Sequence, residues 1–476
     1  MLSREQSVLA TWPAGQAQSG LVMGNGAYLA ARYGLGVLVS VANMLVMTWW
    51  IGPHDYGVFV SAIGLAAFLA SLARVGVDTY LVRREAAPHS QSYGVATGII
   101  LAASLLLTLV GALLLRPLVR WYGNADFGAP YLVLLLTAPI TGLTGIPTAR
   151  LEREMKFRAL AKIELAGQVI GLAVAATGAL LGMKIWAPVA GQVAWQAFIL
   201  VAGYFCARMA PRVSFNLREA KEMLSFGLGV TASLRVWQLR SLVNPLLVGR
   251  FAGAEAVAFV ALAIRIAEAL GTFRLAAGRL AIAALSRLQQ HRHEFRAALE
   301  RALFLQVISL GPLLCLFAFA GPLVFRYVVG LRWMPSLAVF PFVAAGVLVN
   351  SIYNLQASAL FVLGRQWLVM RAYLAHVALL GGSVLWLLPR FGSQAYGWAE
   401  LVACLAYVII HSGLVQAAEI SYRRLAPWLV IFFVLLFAPM TDGGIKFRFA
   451  LIPLDPASAS RQDSSPAGAA DIFPAA

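Results

Sequence analysis

The chain has 476 residues, 61% of them hydrophobic and 12% charged, and a formal net charge of +17. So little polar surface cannot cover a soluble globule of this length. The cations flank apolar stretches instead of gathering on one polar domain, which argues against a nucleic-acid partner and for loops facing anionic lipid headgroups.

Met1 to Gly26 has no compact apolar core followed by a cleavage site, so residues 1–26 read as a retained cytoplasmic segment. Beyond it, apolar stretches of about 20 residues recur, each long enough to cross a hydrocarbon core of roughly 30 Å as a helix. The spans fall near 27–52, 57–79, 93–115, 129–148, 163–182, 186–205, 224–249, 252–275, 302–322, 337–362, 367–388 and 394–415. A shorter apolar stretch at 426–440 either crosses thinly, re-enters or lies against the bundle. After Asp455 the composition turns to Pro, Ala, Ser and Gly, and a disordered tail is expected through Ala476.

The gaps between spans alternate in charge. Arg83 and Arg84 fill the second gap, five cations from Arg150 to Lys162 the fourth, four from Arg208 to Lys221 the sixth, and five from Arg279 to Arg301 the eighth. The first has no Lys or Arg, the third only Arg116 and Arg120, the fifth only Lys184 and the seventh only Arg250. Cytoplasmic loops retain Lys and Arg, so the amino terminus is expected in the cytoplasm. The fold class expected is an all-α polytopic membrane protein with 12 transmembrane helices, and 426–440 as a thirteenth segment, in two six-helix lobes. The lobes are 27–205 and 224–415, joined by a cytoplasmic linker helix at 206–223 and followed by a basic loop and extra segment at 416–454. Six crossings preserve orientation, so the lobes would be parallel repeats. At an offset of 201 residues, the turn from Gly52 to Val60 aligns with the turn that begins at Gly253.

Two segments look like helices lying on the headgroups. From Asn216, Leu217, Ala220 and Leu224 share one face while Arg218 and Glu222 pair at i,i+4; Ser286 to Leu303 behaves similarly. His291-Arg292-His293 has no third ligand at metal-binding spacing, and no metal or cofactor is expected. Cys206, Cys315 and Cys404 are scattered among apolar residues and read as packing residues. Trp49 and Trp50 read as interfacial anchors. There is no G-x-x-x-x-G-K-[ST] phosphate loop and no catalytic constellation in the polar gaps, so an enzyme is not expected.

The remaining chemistry is charge inside the spans: Arg32 in span 1, Arg74 and Asp78 at the inner end of span 2, Arg235 and Arg240 in span 7, Arg265 and Glu268 in span 8, and Glu400 in span 12. A central arginine costs about 2.5–3.5 kcal/mol on insertion scales, so each needs a partner or a cavity. One reading is structural: Arg74 with Asp78 and Arg265 with Glu268 are spaced to pair, and Arg32 and Arg235 can snorkel. The other is functional. Arg32, Arg74, Arg235, Arg240 and Arg265 would line a lumen for an anionic headgroup, guanidinium forking onto phosphate. Asp78, Glu268 and Glu400 would then serve ion pairing or coupling.

Four segments carry a family resemblance. Gly52-Pro-His-Asp-Tyr-Gly-Val-Phe resembles the LGPxxYGxY turn of polysaccharide flippases of the multidrug/oligosaccharidyl-lipid/polysaccharide exporter superfamily. Leu151-Glu-Arg-Glu-Met-Lys-Phe-Arg-Ala-Leu resembles their loop after helix 4, Leu247-Leu-Val-Gly-Arg-Phe-Ala-Gly-Ala-Glu-Ala their turn after helix 7, and Ala284-Leu-Ser-Arg-Leu-Gln their loop after helix 8. The match covers roughly residues 27–415 and is nearest to the Wzx-type and exopolysaccharide-export branches. The resemblance implies two six-helix lobes around a cationic cavity, and alternating access that moves an undecaprenyl-diphosphate-linked glycan between leaflets of the bacterial inner membrane. It also implies diphosphate binding by arginines of helices 1, 2, 7 and 8, and neighbours such as a polysaccharide polymerase and glycosyltransferases. The chain departs from the family at Asn244-Pro245, where members often carry Asp, and in its tail, which matches no family feature. Two rivals stand: a drug/cation antiporter of the same superfamily, which would want carboxylates in the first lobe's cavity, and a membrane glycan polymerase or ligase, which would want a large outer loop where this chain has gaps of only about 13–15 residues.

Overall fold

The computed structural model describes residues 35–36, 38–84, 89–272, 285, 288 and 291–440; Arg32, the segment 1–26 and the tail 455–476 lie outside the described residues. All regular structure among the described residues is helical. The spans are α1 (Leu38–Trp50), α2 (Pro53–Ala73), α3 (Ser90–Leu113), α4 (Ala125–Arg153), α5 (Phe157–Leu180), α6 (Trp186–Cys206), α7 (Leu217–Gln238), α8 (Gly249–Leu270), α9 (Arg292–Val324), α10 (Pro335–Val362), α11 (Gln366–Phe391), α12 (Gln394–Ala418) and α13 (Ala426–Phe437). Ten stretches among the described residues are long and apolar enough to cross a membrane, with Leu38–Trp50 and Ala426–Met440 shorter. One of the ten, Arg235–Leu270, is two crossings, because Gly253 (φ 83°, ψ 174°) breaks the helix. The chain is a multi-pass membrane protein whose spans follow the expected order.

Met1–Leu436 is one compact unit; of the second, Phe437–Ala476, the described part is the last residue of α13 and the 3₁₀ turn Ala438–Met440. In the first unit α10 is the central helix of the second half, with 89% of its apolar window buried against at most 56% for any other span. Residues 207–216 form a turn and extended chain, and α7 starts at Leu217, where the Asn216 side chain accepts a hydrogen bond from Glu219 N (3.2 Å). The surface face read from Leu217 therefore continues without a break into span 7. Twelve residues of α13 reach about 18 Å, short of a bilayer core. Phe432 docks that helix on α9: a Cβ on Gly311 would stand 2.3 Å from the ring.

The two turns predicted as repeats are both present. Gly52 is extended (φ −70°, ψ 164°) and hands over to Pro53 at the first position of α2, where a missing N–H costs nothing. Gly253 adopts a positive φ that few other residues accept. The turns also meet. A Cβ on Gly57 of α2 would lie 1.8 Å from the carbonyl oxygen of Ala254, so the helices touch backbone to backbone there. Further along, a Cβ on Gly64 would lie 3.1 Å from Pro245 Cγ.

Pro245 has no N–H to give the preceding turn, and span 7 responds by leaving α geometry: 3₁₀ over Leu239–Leu242, π over Asn244–Val248. Carbonyls in this irregular stretch find donors in the first half. Tyr122 Oη donates to Pro245 O (2.8 Å) and Trp121 Nε1 to Leu246 O (3.0 Å). At the arginine-rich end, the loop after α4 is fixed by Arg153, which donates to Leu81 O (3.1 Å) and Arg84 O (2.7 Å), capping the short helix Val77–Arg83. Glu154 is held between Lys156 (2.6 Å) and Arg150 (2.9 Å).

Gly57→Ala should lower the thermal unfolding temperature of the detergent-solubilised chain, since overpacking against backbone costs about 1–3 kcal/mol or more. Gly382→Ala, where an added Cβ meets nothing within 4 Å, should leave it unchanged or slightly raised. Equal melting of both variants with the parent would refute the backbone contact.

Candidate functional site

The intramembrane arginines have different surroundings. Arg240 forms an ion pair with Glu400, whose side chain is 1% exposed, and its guanidinium carbon lies 5.3 Å from the Trp237 ring centre. The pair is tightly housed: a Cβ on Gly346 would lie 2.5 Å from Glu400 Cγ. His376 is fully buried beside it, with ring centres 5.1 Å from Trp237 and 5.2 Å from Tyr407. This is an internally neutralised charge joining span 7 to α12 in the second half.

Arg74 and Arg235 face neutral partners. Arg74 donates to Thr141 O (3.1 Å) and Thr144 Oγ1 (3.5 Å) on α4. Arg235 donates to Gln238 Oε1 (2.9 Å), which also accepts from Ser71 Oγ (2.9 Å) on α2. Arg235 lies within the electrostatic reach of Asp78 and Arg74, so the end of α2, the short helix Val77–Arg83 and α7 bring three of the sequence candidates together. The expected Arg74–Asp78 pair does not form. Val75 (φ 47°) and Gly76 (φ 74°) interrupt the helix between them, and the Asp78 carboxylate accepts from Thr79 N (2.8 Å) instead.

Arg265 is the least neutralised. It lies on an exposed face of α8, has no ion pair among the described residues, and stands 5.9 Å from the centre of the Tyr56 ring. Glu268, three residues on, forms no ion pair with it among the described residues. Arg265 instead borders a cavity of about 200 Å³ in the first half, lined by Ser40 and Asn43 of α1, Tyr56 of α2, Gln168 of α5, and Gln192 and Trp195 of α6. Arg32, one turn before Gly36, lies outside the described residues.

Sequence reading missed the contact that closes one end. Arg332, in the turn between α9 and α10, donates to Thr48 O (2.5 Å) and Trp49 O (2.6 Å) at the carboxyl end of α1. Trp333 Nε1 also donates to Thr48 O (3.0 Å), and Trp49 Nε1 to Val328 O (2.5 Å). The last carbonyls of a helix have no partner within it and carry the negative end of its dipole, so a guanidinium fits there. Trp333 packs edge-on against Tyr56 (5.6 Å) and Phe259 (6.2 Å), bridging the halves. Arg332 follows the carboxyl end of one apolar span, but nothing local in the sequence names α1 as its partner. The Trp49 indole, expected as a membrane anchor, serves this closure with half its surface exposed.

Glu400→Gln and Arg240→Met should each destabilise the chain by about 3–5 kcal/mol, because either leaves a buried charge unpaired. The joint replacement Arg240→Met/Glu400→Leu should recover most of the loss in thermal unfolding. Additive losses in the double variant would show the two charges to be independent.

A family model described as "Polysaccharide biosynthesis protein" matches residues 46–338, more than half of the chain. The teichuronic acid biosynthesis protein TuaB of Bacillus subtilis (strain 168) is 32% identical over 118 residues, 24% of each chain, so this chain spans about a quarter of the curated relative it matches. Among solved structures, the lipid II flippase MurJ in an inward closed conformation superposes with a TM-score of 0.63 at 12% identity, over 88% of this chain and 97% of that one. An inward-facing multidrug resistance MATE family transporter of the MOP superfamily gives 0.62 at 15% identity, over 82% and 94%. The all-α, two-lobe fold is thus shared with transporters of that superfamily.

Proposed function

The chain belongs to the polysaccharide biosynthesis protein family, and from that premise we propose that it carries an undecaprenyl-diphosphate-linked oligosaccharide across the bacterial inner membrane by alternating access. The repeat unit of an O-antigen, capsule or exopolysaccharide is the class of cargo. The observation that carries the reading is Arg265: an intramembrane guanidinium with an aromatic face and no acidic partner among the described residues, at the junction of the two halves. Such a charge is costly in lipid and suits a phosphate headgroup that cannot cross unaided. Arg74 and Arg235, bonded only to neutral oxygens, extend the cationic surface along α2 and α7, and Arg32 would add to it from span 1. The polyprenyl tail stays in lipid while glycan and diphosphate pass between the lobes.

The drug/cation antiporter reading is weaker, because the cavity bordering Arg265 is lined, among the described residues, by amides, hydroxyls and aromatic rings without a carboxylate. By the positive-inside rule the Arg84 and Arg153 end faces the cytoplasm, so the seam of Gly57, Ala254, Arg332 and Trp333 is the outer gate, shut in this conformation.

In cells depleted of the protein, undecaprenyl-diphosphate glycan should accumulate on the cytoplasmic face. Wild type should restore delivery, and Arg265→Ala, expressed to the same level, should not. Normal delivery on depletion, with no redundant flippase present, would sink the reading. Separately, Arg332→Gln should open the outer gate: a cysteine placed at Ser40 should react faster with a membrane-impermeant maleimide added from outside than in the same chain with Arg332 intact.

A further inference from the structure

Two arginines stand at the end of the molecule away from Arg84 and Arg153. Helix α3 runs about 36 Å from Ser90 to Leu113, and the short helix Leu115–Tyr122 follows it. Arg116 and Arg120 are one turn apart on that helix and share a face. Both are exposed, and neither has a hydrogen bond, an ion pair or a ring contact among the described residues. Asp126, the first carboxylate after them, pairs with neither. The two guanidiniums border an open cleft of about 480 Å³ between the short helix and the start of α4. Its other walls are apolar: Leu115 and Val119 on one side, Gly128, Ala129 and Leu132 on the other. Gly128 lets the two helices close on each other, since a Cβ there would lie 3.2 Å from Val119 Cγ2. The neighbours of the cleft put it on the lipid-facing side. Leu136, one turn beyond Leu132, is 58% exposed and Leu113 is 71% exposed, whereas Tyr131, Leu134 and Leu135 of α4 are buried.

An apolar cleft with two unneutralised guanidiniums at its edge suits an amphiphile whose head is negative. We propose that it binds an anionic glycerophospholipid of the surrounding leaflet, and that the bound lipid holds the seam between the halves shut. The phosphodiester sits on Arg116 and Arg120, and an acyl chain lies along Leu115, Val119 and Leu132. A phosphodiester spreads one negative charge over two free oxygens, which guanidiniums on successive turns can grip together. A zwitterionic head would set an ammonium beside the same arginines, so the site discriminates by charge. The cleft faces outward from the first half, away from the path between the lobes, and the inference does not depend on the cargo. The other face of the same helix makes the seam. Trp121 Nε1 donates to Leu246 O, Tyr122 Oη donates to Pro245 O, and Arg250 of α8 lies 5.7 Å from the Trp121 ring centre. A helix of two turns moves as one body. A lipid that clamps Leu115–Tyr122 against α4 therefore keeps Trp121 and Tyr122 on their acceptors, and by linkage the joined seam binds the lipid more tightly than the parted one.

The test uses the full chain in phosphatidylcholine nanodiscs, with phosphatidylglycerol added stepwise. Hydrogen exchange is followed over Leu239–Val248, the stretch of span 7 whose carbonyls Trp121 and Tyr122 hold. In wild type, phosphatidylglycerol should slow that exchange several-fold. In Arg116→Gln/Arg120→Gln about tenfold more of the lipid should be needed for the same slowing, the increment of a hydrogen bond between charged groups. Ala129→Leu keeps both arginines and fills the cleft, and it should abolish the effect; it also serves if the double variant does not fold. Arg218→Gln, at the opposite end, should leave the effect in place. No slowing in wild type overturns the proposal, as does slowing that persists in both cleft variants, which would assign the lipid to cations elsewhere. Equal slowing by inorganic phosphate would reduce the cleft to a simple anion site. A larger effect of undecaprenyl diphosphate, lost in the same variants, would give the cleft to that lipid and overturn the phospholipid. None of these results bears on whether depletion strands glycan on the cytoplasmic face, so the flippase reading stands or falls separately.

Discussion

Helices in a bilayer gain little by burying leucine against leucine, so the two halves of a helical membrane protein must be joined by close approach and by hydrogen bonds to backbone. This chain uses both at one seam. Gly57 lets α2 touch the carbonyl of Ala254, and Pro245 loosens span 7 so that Tyr122 and Trp121 can reach its carbonyls. Arg332 and Trp333 do the same at the end of α1. Each acceptor is a carbonyl in an irregular or terminal stretch of helix. The irregularities are therefore the joints of the molecule, and they coincide with Gly, Pro and helix ends because only those positions expose backbone in lipid.

Joints of this kind can be exchanged. A guanidinium on two terminal carbonyls, or an indole on one, loses its partner to water at modest net cost once the surface opens. A seam of interlocked apolar side chains would have to be unpacked atom by atom. The seam that holds the halves in this conformation is thus built from contacts suited to release, whereas the Arg240–Glu400 pair, both partners within the second half and the carboxylate buried, is built to stay.

The spans and turns were legible because they depend on local quantities. Length of an apolar run fixes a crossing, and Gly52-Pro53 or Gly253 fixes a break whatever surrounds it. Site residues were legible as a type and not as a pattern of contacts. Arg240 and Glu400 are 160 residues apart, and their meeting depends on how two helices rotate about their axes, which spacing does not encode. Spacing did pair Arg218 with Glu222 (3.6 Å) at the start of α7, but the pairs it suggested inside the spans did not form. The left-handed Val75 and Gly76 put Arg74 and Asp78 on different helices, and Arg265 stands against the Tyr56 ring rather than pairing with Glu268. Gln168, Gln192 and Trp195 went unnoticed because polar neutral residues raise no alarm in an apolar window. The glycines spaced four apart at 167 and 171 were the available sign that a close helix contact gathers them.

These different fates bear on how binding can drive movement. A ligand shifts an equilibrium only by the difference in its affinity for two states. A diphosphate gains nothing from Arg240, whose charge Glu400 already satisfies, and little from an arginine held identically in both states. Arg265 differs, because α8 carries it from the second half into a cavity walled by the first. An anion bound there would make contacts to both halves at once, and those contacts would change whenever the halves move apart. In the proposed cycle, this bridging residue couples the headgroup to the gate at Arg332 through Tyr56, whose ring lies beneath the Arg265 guanidinium on one side and against Trp333 on the other.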